Sequence, residues 1–65
     1  MVPAVHSPTK EQVRTSRLSL GLTQSQAGAL VGVTDRTWRY WESGFRAMPG
    51  SKWELFNLKT KELEK

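Results

Sequence analysis

Apolar residues in this chain return at spacings of three and four in short runs, each closed by glycine or proline, which predicts a series of short helices. The first lies in "SPTKEQVRTSRLSLG". Ser7 can accept a hydrogen bond from free backbone amides, and Pro8 suits a first helical position, where its missing N–H costs nothing. Val13, Leu18 and Leu20 supply its apolar side, and Gly21 its exit. The second helix begins at Thr23, which stands with Gln26 in the Thr-x-x-Gln spacing of a capping box; Ala27, Leu30 and Val31 share one flank. Gly32 breaks it after barely two turns, and Thr34 opens a third helix at once. Two short helices joined by a glycine-containing turn are the mark of a helix-turn-helix unit.

The third helix, about Asp35 to Ser43, is the most informative. At roughly 100° per residue, Trp38 and Trp41 fall on one side with Thr34 and Thr37, while Asp35, Arg36, Arg39 and Tyr40 fall on the other. The indoles therefore belong in the core and the polar quartet outside. The second helix offers Ala27 and Gly28 opposite Trp38 and Trp41, large against small, with Val31 completing the core. Gly44 ends the third helix, "FRAM" forms a loop, and Pro49 opens a fourth helix. That helix carries two apolar stripes, Trp53–Phe56–Leu63 and Leu55–Leu58, on nearly opposite sides. One must face the core. The other is a candidate partner surface, most simply for a second copy of the chain, and the pattern does not say which is which.

The expected architecture is all-α: a flexible arm over residues 1–6, then a single helix-turn-helix domain over 7–65. At 65 residues a chain buries only roughly 60% of its unfolded surface, so its core must be efficient. With no cysteine and one histidine, His6 in the arm, neither a disulfide framework nor a metal site is expected. No cofactor or small-molecule ligand is expected either. No apolar run approaches the roughly 20 residues that span a bilayer. The N-terminus lacks the pattern of a secretory signal, so the cytoplasm is the expected compartment. Ten Lys/Arg against six Asp/Glu give a net charge of +4, which favours a polyanionic partner.

The run "LGLTQSQAGALVGVTDRTWRYWESG" resembles the phage lambda-repressor and Cro-like helix-turn-helix family, also called the Xre family. The likeness covers Arg14 to about Leu58. It rests on the "LGLTQ" opening, the small residues Ala27 and Gly28, "VGV" in the turn and "WESG" closing the third helix. The family implies a compact bundle of four or five helices that binds operator double-stranded DNA, usually as a dimer, to control transcription. The "WRYWESG…MP" ending looks like short phage or mobile-element regulators, some of which repress their own operons. Arg17 and Glu42 match a salt bridge typical of the family, which would tie the first helix to the third and aim the arginine near the DNA backbone. Gly28 stands where the family usually has alanine; the bulk of the two tryptophans is the expected reason. Many relatives carry a fifth helix that contributes to dimerisation, which leaves the dimer geometry open.

Carried over by position, the third helix enters the major groove with Thr34, Asp35, Arg36, Arg39 and Tyr40 facing base edges. Arg36 is the first candidate for base reading, because a guanidinium can donate two hydrogen bonds to guanine. Arg39 reads a base or holds a phosphate. Tyr40 meets a thymine methyl or a phosphate oxygen. Asp35 accepts from cytosine or simply favours the positive end of its own helix. Arg17, Gln24, Ser43 and Arg46 are positioned for the DNA backbone, Gln24 through the start of the second helix. A homodimer on DNA is expected to form through the last helix. The alternative is an antitoxin-type protein-interaction module docking a partner through that same helix. A membrane-active amphipathic peptide is disfavoured by the glycine turns and repeated caps. An enzyme is not expected, since the chain shows no carboxylate pair, activated nucleophile, phosphate loop or metal cluster.

Overall fold

Thr9, not Ser7, starts the first helix. In the computed structural model, which describes residues 7–63, α1 runs Lys10–Ser19. The Thr9 hydroxyl accepts from the Gln12 amide at 3.1 Å, and the Gln12 side chain accepts from the Thr9 amide at 2.8 Å. Two reciprocal bonds outcompete one: three residues after Ser7 stands Lys10, which has no acceptor to offer in return. Leu18 corrects the expected apolar side. It is exposed, because it lies about 140° around the helix from the buried Val13, whereas Arg17 and Leu20 share Val13's side. The expected arm, residues 1–6, lies outside the described residues, as do Glu64 and Lys65.

Helix α2, Gln24–Leu30, has the Thr23–Gln26 box, with both bonds formed at 3.0 and 2.9 Å. Its end folds tightly. Val31 and Val33 both donate backbone N–H groups to the Gly28 carbonyl, at 3.1 and 2.9 Å, and Gly32 takes φ 75°, a conformation that a β-carbon would strain. Thr34 then caps α3, Asp35–Ser43, accepting from Thr37. Gly44 closes α3 in the left-handed region at φ 83°. Helix α4, Gly50–Thr60, follows Pro49 without a side-chain cap. The four helices form an all-α bundle, with α3 packed against both α2 and α1 and α4 resting on α2. Among the described residues none of the helices is long and apolar enough to cross a membrane.

The core is Val13, Ala27, Val31, Trp38, Trp41, Met48 and Phe56. Trp38 is its hub, edge-on to Trp41 with ring centroids 5.5 Å apart and tilted against Phe56 at 5.0 Å. Such aromatic pairs add about 0.5–1.5 kcal/mol beyond the area they bury. Met48 comes from the loop rather than a helix, and the three- and four-residue periodicity gives no sign of it. On α4 neither expected stripe acts as a unit. Phe56 and Thr60 point inward, Trp53 and Leu55 flank them half-buried, and Leu58 and Leu63 are exposed. Lys52 fixes the helix by donating to the Val31 carbonyl at 2.9 Å, satisfying a carbonyl left free where α2 ends.

Gly28 is buried for a different reason from the one expected. A β-carbon there would stand 2.8 Å from the Val33 carbonyl oxygen and 3.1 Å from that of Thr34. What demands a glycine is the backbone of the turn folding back over α2, not tryptophan bulk.

Candidate nucleic-acid interface

Helix α3 presents two chemically distinct faces. Its inner face is anchored by Trp38 and Trp41, and the outer face carries Asp35, Arg36 and Arg39, all exposed. Arg36 forms no ion pair among the described residues, so its five N–H donors are available to a partner. Asp35 faces Arg39 one turn on, with oxygen and nitrogen 3.7 Å apart and both side chains more than half exposed. That contact gives Asp35 a partner on its own helix, besides the cytosine or helix end expected of it. Thr34 is exposed, and its hydroxyl serves the Thr37 amide as a cap.

At the other end of α3, Tyr40 is half-buried beneath a small stack. Its ring lies 4.9 Å from that of Phe45, and the Arg46 guanidinium sits 6.0 Å from the Tyr40 centroid and 5.8 Å from the Phe45 centroid. Phe45 is 70% exposed. The left-handed turn at Gly44 brings these residues together, with the Arg46 amide donating to the Tyr40 carbonyl at 3.2 Å. Ser43 is exposed beside them; its hydroxyl donates to the Tyr40 carbonyl and accepts from the Phe45 amide. Phe45 was missed by helical periodicity because it lies beyond the helix end.

Glu42 organises the opposite side. One carboxylate oxygen accepts from Arg17 Nε and from the Trp38 indole N–H, both at 2.5 Å; the other accepts from Arg17 Nη2 at 3.0 Å and Gln24 at 3.2 Å. Arg17 Nη1 also donates to the Leu22 carbonyl at 2.9 Å. Burial opposes ionisation of this carboxyl, but the hydrogen bonds from Arg17, Trp38 and Gln24 outweigh it and hold Glu42 below its ordinary pKa. The hydrogen bond to Glu42 raises the Arg17 pKa above its ordinary value, against the opposing effect of burial. The pair therefore stays ionised and joins α1, α2 and α3 at one point.

That arrangement bears on two of the residues expected at the DNA backbone. Arg17 was expected near the DNA backbone, yet its side chain is only 12% exposed and its guanidinium is engaged with Glu42 and Leu22. It is a positioning residue. The Gln24 side chain is likewise drawn to Glu42, and the backbone amides opening α2, through which Gln24 was expected to act, remain what it can offer an anion. Beside them the structure exposes a cation the sequence reading passed over. Arg14 lines a shallow groove with Arg17, Gln24, Arg39, Glu42 and Ser43. Lys10, Arg14 and Arg17 follow one another at helical spacing, and that spacing was the available signal.

Comparison with known proteins adds one likeness. Over 52 residues the chain is 36% identical to the type II methyltransferase M.MspI of Moraxella sp.. The match takes in 80% of this chain but 12% of the methyltransferase, so the chain spans only a small part of that protein's length. No known family model matches the chain.

Proposed function

We propose that this chain is a sequence-specific double-stranded DNA-binding protein of the lambda-repressor and Cro-like helix-turn-helix family, acting in the cytoplasm as a transcriptional repressor. One observation carries the reading: α3 follows α2 across a tight glycine turn, is held by two buried indoles, and turns a cationic face of Arg36 and Arg39 to solvent. A helix so presented fits the major groove, with its N-terminal half toward base edges. The likeness to part of a type II methyltransferase supports a DNA partner. The role assigned is binding, not methyl transfer. Arg36 reads a base through paired donors, Arg39 reads a base or holds a phosphate, and Ser43 and Arg46 steady the backbone. Leu58, exposed on α4, and Leu63, exposed just past its end, favour a homodimer through this end of the chain, placing two recognition helices on a twofold-related site.

The test is selection of bound sequences from a random duplex pool, followed by binding of the Arg36→Ala variant. A twofold-related motif is expected. The variant should lose roughly 1–3 kcal/mol of discrimination at one base position while keeping its affinity for random duplex. Equal loss on specific and random duplexes would make Arg36 a phosphate contact. Failure of the pool to enrich any motif would sink the reading as a whole.

A further inference from the structure

We infer that the groove between α1 and α3 is a seat for one backbone phosphate of duplex DNA, with Arg14 and Arg39 as its two cations. The inference rests on the DNA-binding reading and extends the contact surface to α1, outside the helix-turn-helix. Six side chains line the groove: Arg14 from α1, Gln24 from α2, Arg39 and Ser43 from α3, and the Arg17–Glu42 pair. Because Arg17 and Glu42 neutralise each other in a nearly buried bidentate pair, they leave no net charge to the groove. Its charge comes from the exposed guanidinium groups of Arg14 and Arg39, borne by different helices. Arg14 forms no ion pair among the described residues, and Arg39 is held only loosely by Asp35 at 3.7 Å.

Lys10 continues the same edge. It lines an adjoining hollow with Glu11, Arg14, Glu42 and Ser43, and its aliphatic stem lies against Gly44, where a β-carbon would meet Cδ at 3.1 Å. Glu11 is the one exposed carboxylate on this edge, so the cations remain in excess. Two guanidinium forks suit a monoanionic, tetrahedral phosphodiester, which can accept from several donors at once. Arg39 lies on the same helix as Arg36, one turn toward the groove. A phosphate held there would fix how far α3 can slide along the duplex, which is what a contact without base specificity does.

Binding of wild type, Arg14→Gln and Lys61→Gln should be measured across salt concentrations on a selected and a random duplex. Lys61 lines no part of the groove, so its variant makes the same change in net charge elsewhere. Both sites are exposed, and thermal melting should confirm that both variants stay folded. The log–log salt slope should fall by about 0.9 in Arg14→Gln, equally on both duplexes, and hold in Lys61→Gln. Equal slopes in the two variants, or an unchanged slope in Arg14→Gln, would overturn the phosphate seat and leave the DNA-binding reading standing. A change of base preference in Arg14→Gln would overturn it too, by making Arg14 a base reader. Salt-independent binding by wild type would bring down the DNA-binding reading itself, and the seat with it.

Discussion

Helix α3 takes part in two arginine–carboxylate pairs of the same chemistry and opposite character, one with α1 and one within itself. Arg17 and Glu42 meet through two bonds, with side chains 12% and 7% exposed. Arg39 and Asp35 approach to 3.7 Å, with side chains 57% and 53% exposed. The first is supplemented by Trp38, Gln24 and the Leu22 carbonyl, so neither ion can leave without stranding other groups. The second costs almost nothing to open, because water replaces each partner. The buried pair therefore sets where α3 sits, and the open pair leaves a guanidinium free to exchange its aspartate for another anion, as the proposed DNA-binding role requires. Geometry and solvent, not residue type, divide structure from binding here.

Breaking the buried pair should give the largest effect. Glu42→Ala strands the Arg17 guanidinium in the interior and is expected to cost about 3–5 kcal/mol. A domain of this length holds on the order of 3–10 kcal/mol in all, so the variant should lose a large share of its stability. The combined Arg17→Met, Glu42→Leu variant removes both charges and should recover at least about 1 kcal/mol of that loss, although the Trp38 N–H and Leu22 carbonyl still lose partners. Urea midpoints measure both. A double variant no more stable than the single one would show that neighbouring polar groups, rather than the stranded charge, dominate the site.

Gly28→Ala comes next, and it shows why the sequence was legible only in part. The helices were readable because their signals are local: Thr23–Gln26 boxes one start, Thr34 caps another, and Trp38 and Trp41 share one face at a spacing of three. The reason for Gly28 was not readable. Its demand comes from the Val33 and Thr34 carbonyls, five and six residues on, placed there by a turn whose path no periodicity encodes. Met48 and Lys52 escaped for the same reason, each acting across a chain reversal. Arg17 shows the converse: its pairing with Glu42 followed from a family resemblance, while its bond to the Leu22 carbonyl emerged only from packing. Alanine gains about 1 kcal/mol of helix propensity, but overpacking against fixed backbone costs typically 1–3 kcal/mol. A net loss, seen as a lower melting temperature, is expected; a more stable variant would show that the turn can retreat.

Acid should weaken the buried pair. Glu42 has a folded-state pKa below its unfolded value, so its stabilisation is complete above about pH 4.3 and is lost as pH falls through the folded pKa. Wild type should therefore lose stability more steeply below that pH than Glu42→Gln, which has no carboxyl to protonate there. Arg17 adds no pH dependence, since its raised pKa keeps it charged throughout this range. Parallel urea midpoints at neutral and strongly acid pH would be the unexpected result, placing the acid sensitivity in other carboxylates.

The open pair should give the smallest change in stability and a gain in binding. Asp35→Asn removes one exposed charge near 3.7 Å from Arg39, an interaction worth about 0.2–0.5 kcal/mol at such an exposed site. Asparagine keeps a dipole at the start of α3, where the helix favours negative charge, so the expected change is within roughly 1 kcal/mol. Affinity for random duplex should rise, because the same substitution removes an anion from the face proposed to meet phosphates and releases Arg39 from its only ion-pair partner among the described residues. Weaker binding with unchanged stability would carry the opposite lesson: Asp35 would then be holding Arg39 in its productive orientation, and the exposed pair, like the buried one, would be there to position.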